Sequence, residues 1–239
     1  MASIISSIKS GFHRDIVTHP VAHGWVLNLY RAGERYPLSV CDYFQSEHAP
    51  DLSLAAKLRL HQAQEEKHVH LFAQSLRSIE QPVVEMDMGD VFNFVVRAFT
   101  PGTFHILESD HADIKRFKLA NFLAHAHHLE KRVSQSFAYH LDACERAGRD
   151  EVTDRMARIK ADEDEHVRYT REAVLDLLTW REAQEVMDTH RRAEAKANLH
   201  FSQRQVKQFL ELFPELAPGY RRSLYRVCAW VMESAGGYA

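Results

Sequence analysis

The sequence predicts an all-α protein: a four-helix bundle with a long crossover between its second and third helices, followed by extra C-terminal helices. Three observations carry this prediction. Two stretches place residues at the spacing of a buried helical stripe: Leu54, Leu58, His61, Glu65, His68, Phe72, Leu76 and Ile79, then Val152, Met156, Ile159, Glu163, His166, Thr170, Val174 and Leu177. Both step 4, 3, 4, 3, 4, 4, 3, the second 98 residues after the first. No segment shows the alternation of a half-buried strand. Glycines and prolines are few (9 and 7 of 239 residues), and most mark breaks between the periodic segments.

Residues 1–20 read as a short lead-in helix or arm ending at Pro20. A first long helix is predicted over 22–44, on Trp25, Leu27, Leu29, Tyr30, Leu38, Cys41 and Phe44. It should kink near Pro37, because an interior proline costs about 3 kcal/mol. The segment 46–53, with Pro50 and Asp51, is a short turn that makes the next helix an antiparallel neighbour. That second helix runs to about Ile79 and is stopped by Gln81-Pro82.

Residues 81–113 form the long connection, in which the apolar decamer 90–99 is expected to pack over the bundle. A third helix spans about 114–147, ended by Gly148, and a fourth about 150–180. Residues 181–213 look helical with one polar face; Pro214, Pro218 and Gly219 separate them from a last helix at about 220–234. The predicted division is a bundle with its N-terminal arm over 1–180 and a helical extension over 181–239 packed on it.

Composition narrows the function classes. With 45% hydrophobic and 26% charged residues the chain can bury a sizeable core. A formal net charge of −3 argues against a nucleic-acid-binding surface. Residues 1–16 lack an apolar core for a signal peptide, and no run approaches a membrane span. Cys41, Cys144 and Cys228 are far apart and form no CxxC, which argues against a disulfide framework or a cysteine-ligated zinc or iron site. A reducing, cytoplasmic setting is expected.

The chemistry sits in the two stripes. Glu65-x-x-His68 and Glu163-x-x-His166 each put a carboxylate and an imidazole on one helix face, able to reach one ion together. The spacing alone is weak: 19 glutamates and 16 histidines in 239 residues give about 1.3 such pairs by chance. A third pair, Glu108-x-x-His111, lies outside any stripe and is read as the chance member. The other two stand mid-stripe, where unpartnered ionisable groups would be costly to bury.

Two more carboxylates share that register. Glu130 is in helical phase with Leu119, Leu123, Ala126, Val133 and Phe137, and Glu34 with Leu27, Tyr30, Leu38 and Cys41. Glu34 and Glu130 are 96 residues apart, as are Tyr43 and Tyr139. The predicted metal ligands are therefore Glu34, Glu65, His68, Glu130, Glu163 and His166, the set of a dinuclear carboxylate site in a four-helix bundle. Four anionic ligands nearly neutralise two divalent ions, with Glu65 and Glu163 suited to bridging and Glu34 and Glu130 to terminal positions. His61 and His127, one turn before Glu65 and near Glu130, are read first as core histidines, and Tyr30, Tyr43 and Tyr139 as core tyrosines. No outer-sphere partner is assigned, because Glu66, Asp162 and Asp164 point off the stripe.

The stretch Arg31-Ala32-Gly33-Glu34-Arg35, with Tyr43 further on, resembles the first metal helix of the demethoxyubiquinone hydroxylases. Leu129-Glu130 followed by Tyr139-His140 resembles their third. The tRNA-modifying di-iron hydroxylases have a similar layout. Over roughly residues 22–180 the chain thus resembles the ferritin-like di-iron carboxylate superfamily; Pro37 departs from the pattern, and the helices after Trp180 have no counterpart in it.

The resemblance implies an enzyme using two iron ions, or manganese or a mixed Mn/Fe pair, with dioxygen as co-substrate and an external electron donor. It would be a hydroxylase or monooxygenase-type oxidoreductase acting on a small or lipid-like organic molecule. A homodimer, no nucleic-acid partner and no integral membrane segment go with that reading. The alternative it leaves open is a ferroxidase, iron-handling or peroxide-reducing protein.

Overall fold

The computed structural model describes residues 2–237; Met1, Tyr238 and Ala239, which the predicted arm and extension include, lie outside the described residues. Within that range the chain is all-helical, and no strand occurs among the described residues. The helices are α1 (Ala2–Val17), α2 (Pro20–Arg35), α3 (Leu52–Ser78), α4 (Phe92–Phe99), α5 (Ala112–Arg146), α6 (Asp150–Leu177), α7 (Trp180–Leu212) and α8 (Gly219–Gly237).

Local chemistry sets the boundaries. Pro20 opens α2, where its missing N–H costs nothing. The predicted kinked helix over 22–44 is a shorter one: α2 ends at Arg35, and Pro37 starts a 3-10 turn over Pro37–Ser39. The proline offers no N–H to continue the ladder, and the Tyr36 amide closes the helix on Ala32 and Gly33 instead. Leu38 and Cys41 therefore do not share a helix with Glu34, and Cys41 is exposed. The following loop passes through Phe44 at φ 50, a left-handed backbone that a bulky residue rarely adopts. Asp51 then caps α3 by accepting from the Leu54 amide at 2.9 Å.

Gly148, at φ 62, stops α5, and the Arg149 amide folds back to the Cys144 carbonyl at 3.0 Å. A reciprocal capping box between Thr179 and Glu182 starts α7. The apolar decamer of the long connection becomes α4, which packs between α7 and α2.

Helices α2 with α3 and α5 with α6 form two closely packed pairs, and α3 faces α6. Two apolar clusters lie along them. One holds Leu54, Leu58, Leu119, Leu123, Phe122, Val174 and Leu177; the other holds Leu27, Phe72, Leu76, Phe137, Val152, Met156 and Ile159. Thus α3 and α5 begin in the first cluster and end in the second, while α6 runs the opposite way. The polar residues of both stripes fall between the clusters. Helix α7 lies along α5 and α4, and α8 rests on α7. Phe209, Phe213 and Tyr225 join Ile16, Ala22 and Val26 in a third apolar cluster that ties the last two helices to the first two.

Candidate metal centre

Each helix delivers its carboxylate by register. On α3 and α6 the i, i+3 spacing turns Glu65 with His68, and Glu163 with His166, to the same buried face. Glu34 comes from the last turn of α2, and Glu130 from the middle of α5. All six predicted residues are buried, and the structure brings all six together. Glu34, Glu65, His68 and Glu163 form one group whose ligand atoms lie within 4.8 Å of one another; Glu130, Glu163 and His166 form another. They are joined by Glu163, whose Oε1 is 3.0 Å from His68 Nδ1 and whose Oε2 is 3.0 Å from His166 Nδ1. On its other side His68 Nδ1 meets Glu34 Oε2 at 3.2 Å, and Glu65 Oε1 lies 3.8 Å from His166 Nδ1.

The outer nitrogens of both histidines are held. His68 Nε2 lies 3.0 Å from Asp162 Oδ2, and His166 Nε2 lies 2.9 Å from Gln64 Oε1. Both acceptors take a proton from Nε2, which turns each Nδ1 into the cluster toward Glu163; a bound cation would take the place of the proton that each Nδ1 shares with Glu163. Gln64 also donates to Asp162 Oδ1 at 2.8 Å, so each outer acceptor serves the histidine of the facing helix and braces the other. Sequence alone assigns no such partner, because Glu66, Asp162 and Asp164 point off the stripes of their own helices. The missed signal was the 98-residue repeat itself, which maps Gln64 onto Asp162. Asp164 goes elsewhere, to Ser134 and Lys160, and Glu66 is exposed.

Burial pushes the Glu65 and Glu130 carboxyls well above the usual carboxylate range, and neighbouring carboxylates push them further. Glu34 is raised as well, by burial first and Glu163 second. Glu163 moves the other way: burial opposes its charge, but hydrogen bonds from His166 and His68 outweigh it and hold the carboxyl low. Burial likewise opposes a charged His68, yet Glu163 and Glu34 outweigh it and hold the imidazole up at about 10. Carboxylates this crowded need positive charge among them. Protons supply part of it, and two divalent cations would balance all four carboxylates.

The donor set passes a further test of fit. Glu65 Oε1 and His61 Nε2 are buried, and although 3.3 Å apart they make no aligned hydrogen bond with each other or with another group. Two inward Nδ1 atoms, four carboxylates and such unsatisfied buried oxygen and nitrogen atoms form groups that could hold a metal ion.

His61 belongs to this cluster. Its Nδ1 meets the Tyr169 hydroxyl at 2.7 Å, and its Nε2 faces Glu65 and, at 3.7 Å, Glu130. Its ring stacks on His166 with centroids 3.6 Å apart, and burial together with the nearby His166 holds it well below the ordinary histidine range. Beside it a cavity of about 10 Å³ is walled by Pro37, Tyr43, Phe44, Phe122, Leu129 and Glu130. Tyr43 and His125 close this wall with a 2.6 Å contact, and His125 reaches Thr100 at 3.1 Å on its far side.

His127 turns away, its Nδ1 donating to the Val167 carbonyl at 2.9 Å. Tyr139, the repeat mate of Tyr43, sits outside the cluster and donates to Ser6. Glu108 and His111 are both exposed. No helix among the described residues is long and apolar enough to cross a membrane. No family model matches the chain, and no significant match to a curated protein or a solved structure is found.

Proposed function

We propose that the chain is a di-iron carboxylate oxidoreductase on a ferritin-like four-helix bundle, with residues 79–111 as the crossover between its second and third helices. The observation that carries this is the meeting of Glu34, Glu65, His68, Glu130, Glu163 and His166, drawn from four helices, between two apolar clusters. The bundle reading is supported by α3 and α5 running the same way, which requires a connection the length of the molecule. A pair of iron ions held there supplies dioxygen activation, which the protein steers by ligand geometry, charge and exclusion of water.

Glu34, Glu65, His68, Glu130, Glu163 and His166 would hold the two ions, with Glu34 beside His68 on one side of Glu163 and Glu130 grouped with His166 on the other. Gln64 and Asp162 hold both rings by Nε2, so each Nδ1, in contact with Glu163, is the atom that would be offered to an ion. His61 can hold a proton at Nε2 next to Glu65 and Glu130, on the side where the cavity opens. The aromatic wall of Tyr43, Phe44 and Phe122 keeps that side dry. An organic substrate would reach it by displacing the 36–51 loop, whose left-handed Phe44 packs on His61 with centroids 4.8 Å apart.

One observation favours a second reading. A cavity of about 10 Å³ has room for about one water-sized molecule, which suits ferrous ion or peroxide as the substrate better than an organic compound.

The test is anaerobic loading with Fe(II), then oxygen, followed by Mössbauer and optical spectroscopy. Two irons per chain and a coupled-pair signal are expected, and Glu163→Ala should lose the pair. Full dinuclear occupancy in that variant would rule out the ligand assignment. Repeated turnover of added Fe(II) without organic substrate would select the second reading.

A further inference from the structure

A separate cluster lies where α1, α2 and α5 meet. His23 Nε2 is 3.1 Å from His140 Nε2, and Cys144 Sγ is 3.8 Å from His23 Nε2. These three ligand atoms all lie within 4.8 Å of one another, and all three residues are buried. His140 and Cys144 are one turn apart on α5, so the thiol and the imidazole share a face. The other nitrogen of His140 is 3.4 Å from His13 Nδ1, and His13 is buried too. None of these residues belongs to the carboxylate centre.

We propose that His23, His140 and Cys144 form a second, mononuclear site for a monovalent soft cation, Cu(I), with His13 positioning His140. The geometry suits a small ion. Metal–nitrogen bonds of about 2.0 Å and metal–sulfur bonds of about 2.3 Å place such atoms roughly 3.3–3.8 Å apart, between tetrahedral and trigonal angles. The observed 3.1 and 3.8 Å need only a slight opening.

The ligand chemistry selects the ion. A thiolate with two imidazoles is a soft three-coordinate set. Charge selects it again. One thiolate and two neutral imidazoles around Cu(I) sum to zero, whereas a divalent ion leaves a net positive charge in a dry interior. The positive charge of Arg149, which acts on both His23 and Cys144, makes that surplus costlier.

Binding exchanges the thiol proton for the ion: the S–H bond breaks, a Cu–S bond forms, one proton leaves to solvent and no electron is transferred. A proton shared between His140 Nδ1 and His13 Nδ1 fixes the tautomer that leaves His140 Nε2 free for the ion.

The experiment is an anaerobic Cu(I) titration of the full chain against a chromophoric Cu(I) chelator, with copper K-edge absorption on the product. A Cys41→Ser/Cys228→Ser background leaves Cys144 as the single thiol. One equivalent should bind with one sulfur and two nitrogens around the copper, and Glu163→Ala should keep it, which separates it from the carboxylate centre. Cys144→Ser should weaken binding by more than about a hundredfold, and His13→Ala by roughly 10–100-fold. Should Cys144→Ser fail to fold, the sulfur signal of the parent chain decides alone. An edge spectrum without sulfur, unchanged uptake in a folded Cys144→Ser chain, or displacement of Cu(I) by equimolar Zn(II) would overturn the proposal.

Discussion

Gln64 and Asp162 show how much a residue adjacent to a candidate ligand can decide. Each accepts the outer proton of a histidine on the facing helix, and without that acceptor the imidazole is free to turn or to change tautomer. Gln64→Leu should therefore weaken metal binding at the carboxylate centre by roughly 10–100-fold while leaving the helical circular dichroism unchanged. Competition with a chelator of known affinity measures this, and an unchanged affinity would remove Gln64 from the site. His190 offers a test of charge burial away from the centre. Burial chiefly holds it down at about 4, against about 6.5 for an unfolded chain. Between those values the unfolded state binds a proton that the folded state does not, so its contribution is intact above about 6.5 and is lost as pH falls toward 4. The stability of the parent relative to His190→Gln should shrink by about 1.4 kcal/mol per pH unit across that window, read from urea melts at several pH values. A difference independent of pH would contradict it. At this scale the sequence was legible where position alone decides orientation: Glu65, His68, Glu163 and His166 sit mid-stripe and meet. It was not legible for His61 and His127. Both stand near a candidate carboxylate, yet one enters the cluster and the other caps a carbonyl, because the facing helix decides what each meets.

Helices with strong end signals were placed well from sequence. The stop at Gly148 and the buried stripes of α3 and α6 need only local chemistry and period. The first helix was harder. A proline after Glu34 allows either a kink or an end, and local propensity does not distinguish them. The end occurs because the 36–51 segment is drawn over the cluster, where Tyr43 and Phe44 become buried against Phe122. The start of α7 depends on its capping box, in which Thr179 and Glu182 satisfy each other's backbone amides. Thr179→Ala should cost about 1 kcal/mol. For a chain of this size that is roughly a 2–4 °C drop in Tm. A melting temperature equal to the parent's would mean that tertiary contacts alone hold the helix end.

At the scale of the whole molecule, the last two helices share surfaces with the elements before them. Phe104 packs near His190, Arg132 pairs with Glu194, and Tyr225 donates to Asp15 at 2.7 Å, linking α8 to α1. A chain ending after Leu178 would uncover Leu129, Val96 and Ile16, each almost fully buried. It should bind a hydrophobic dye and lose the single sharp urea transition; a truncated chain with the parent's midpoint and no dye binding would show that the core stands alone. The 98-residue repeat that relates the candidate ligands of α3 to those of α6 has a further consequence. A hairpin of α2 and α3 brings one imidazole and two acidic side chains, half of the donors, and α5 with α6 brings the other half. Neither hairpin can cage a pair of ions by itself. A free hairpin would complete such a cage only by docking with a twin, so the proposed ion pair would need from one polypeptide what two identical halves would otherwise have to supply by finding each other.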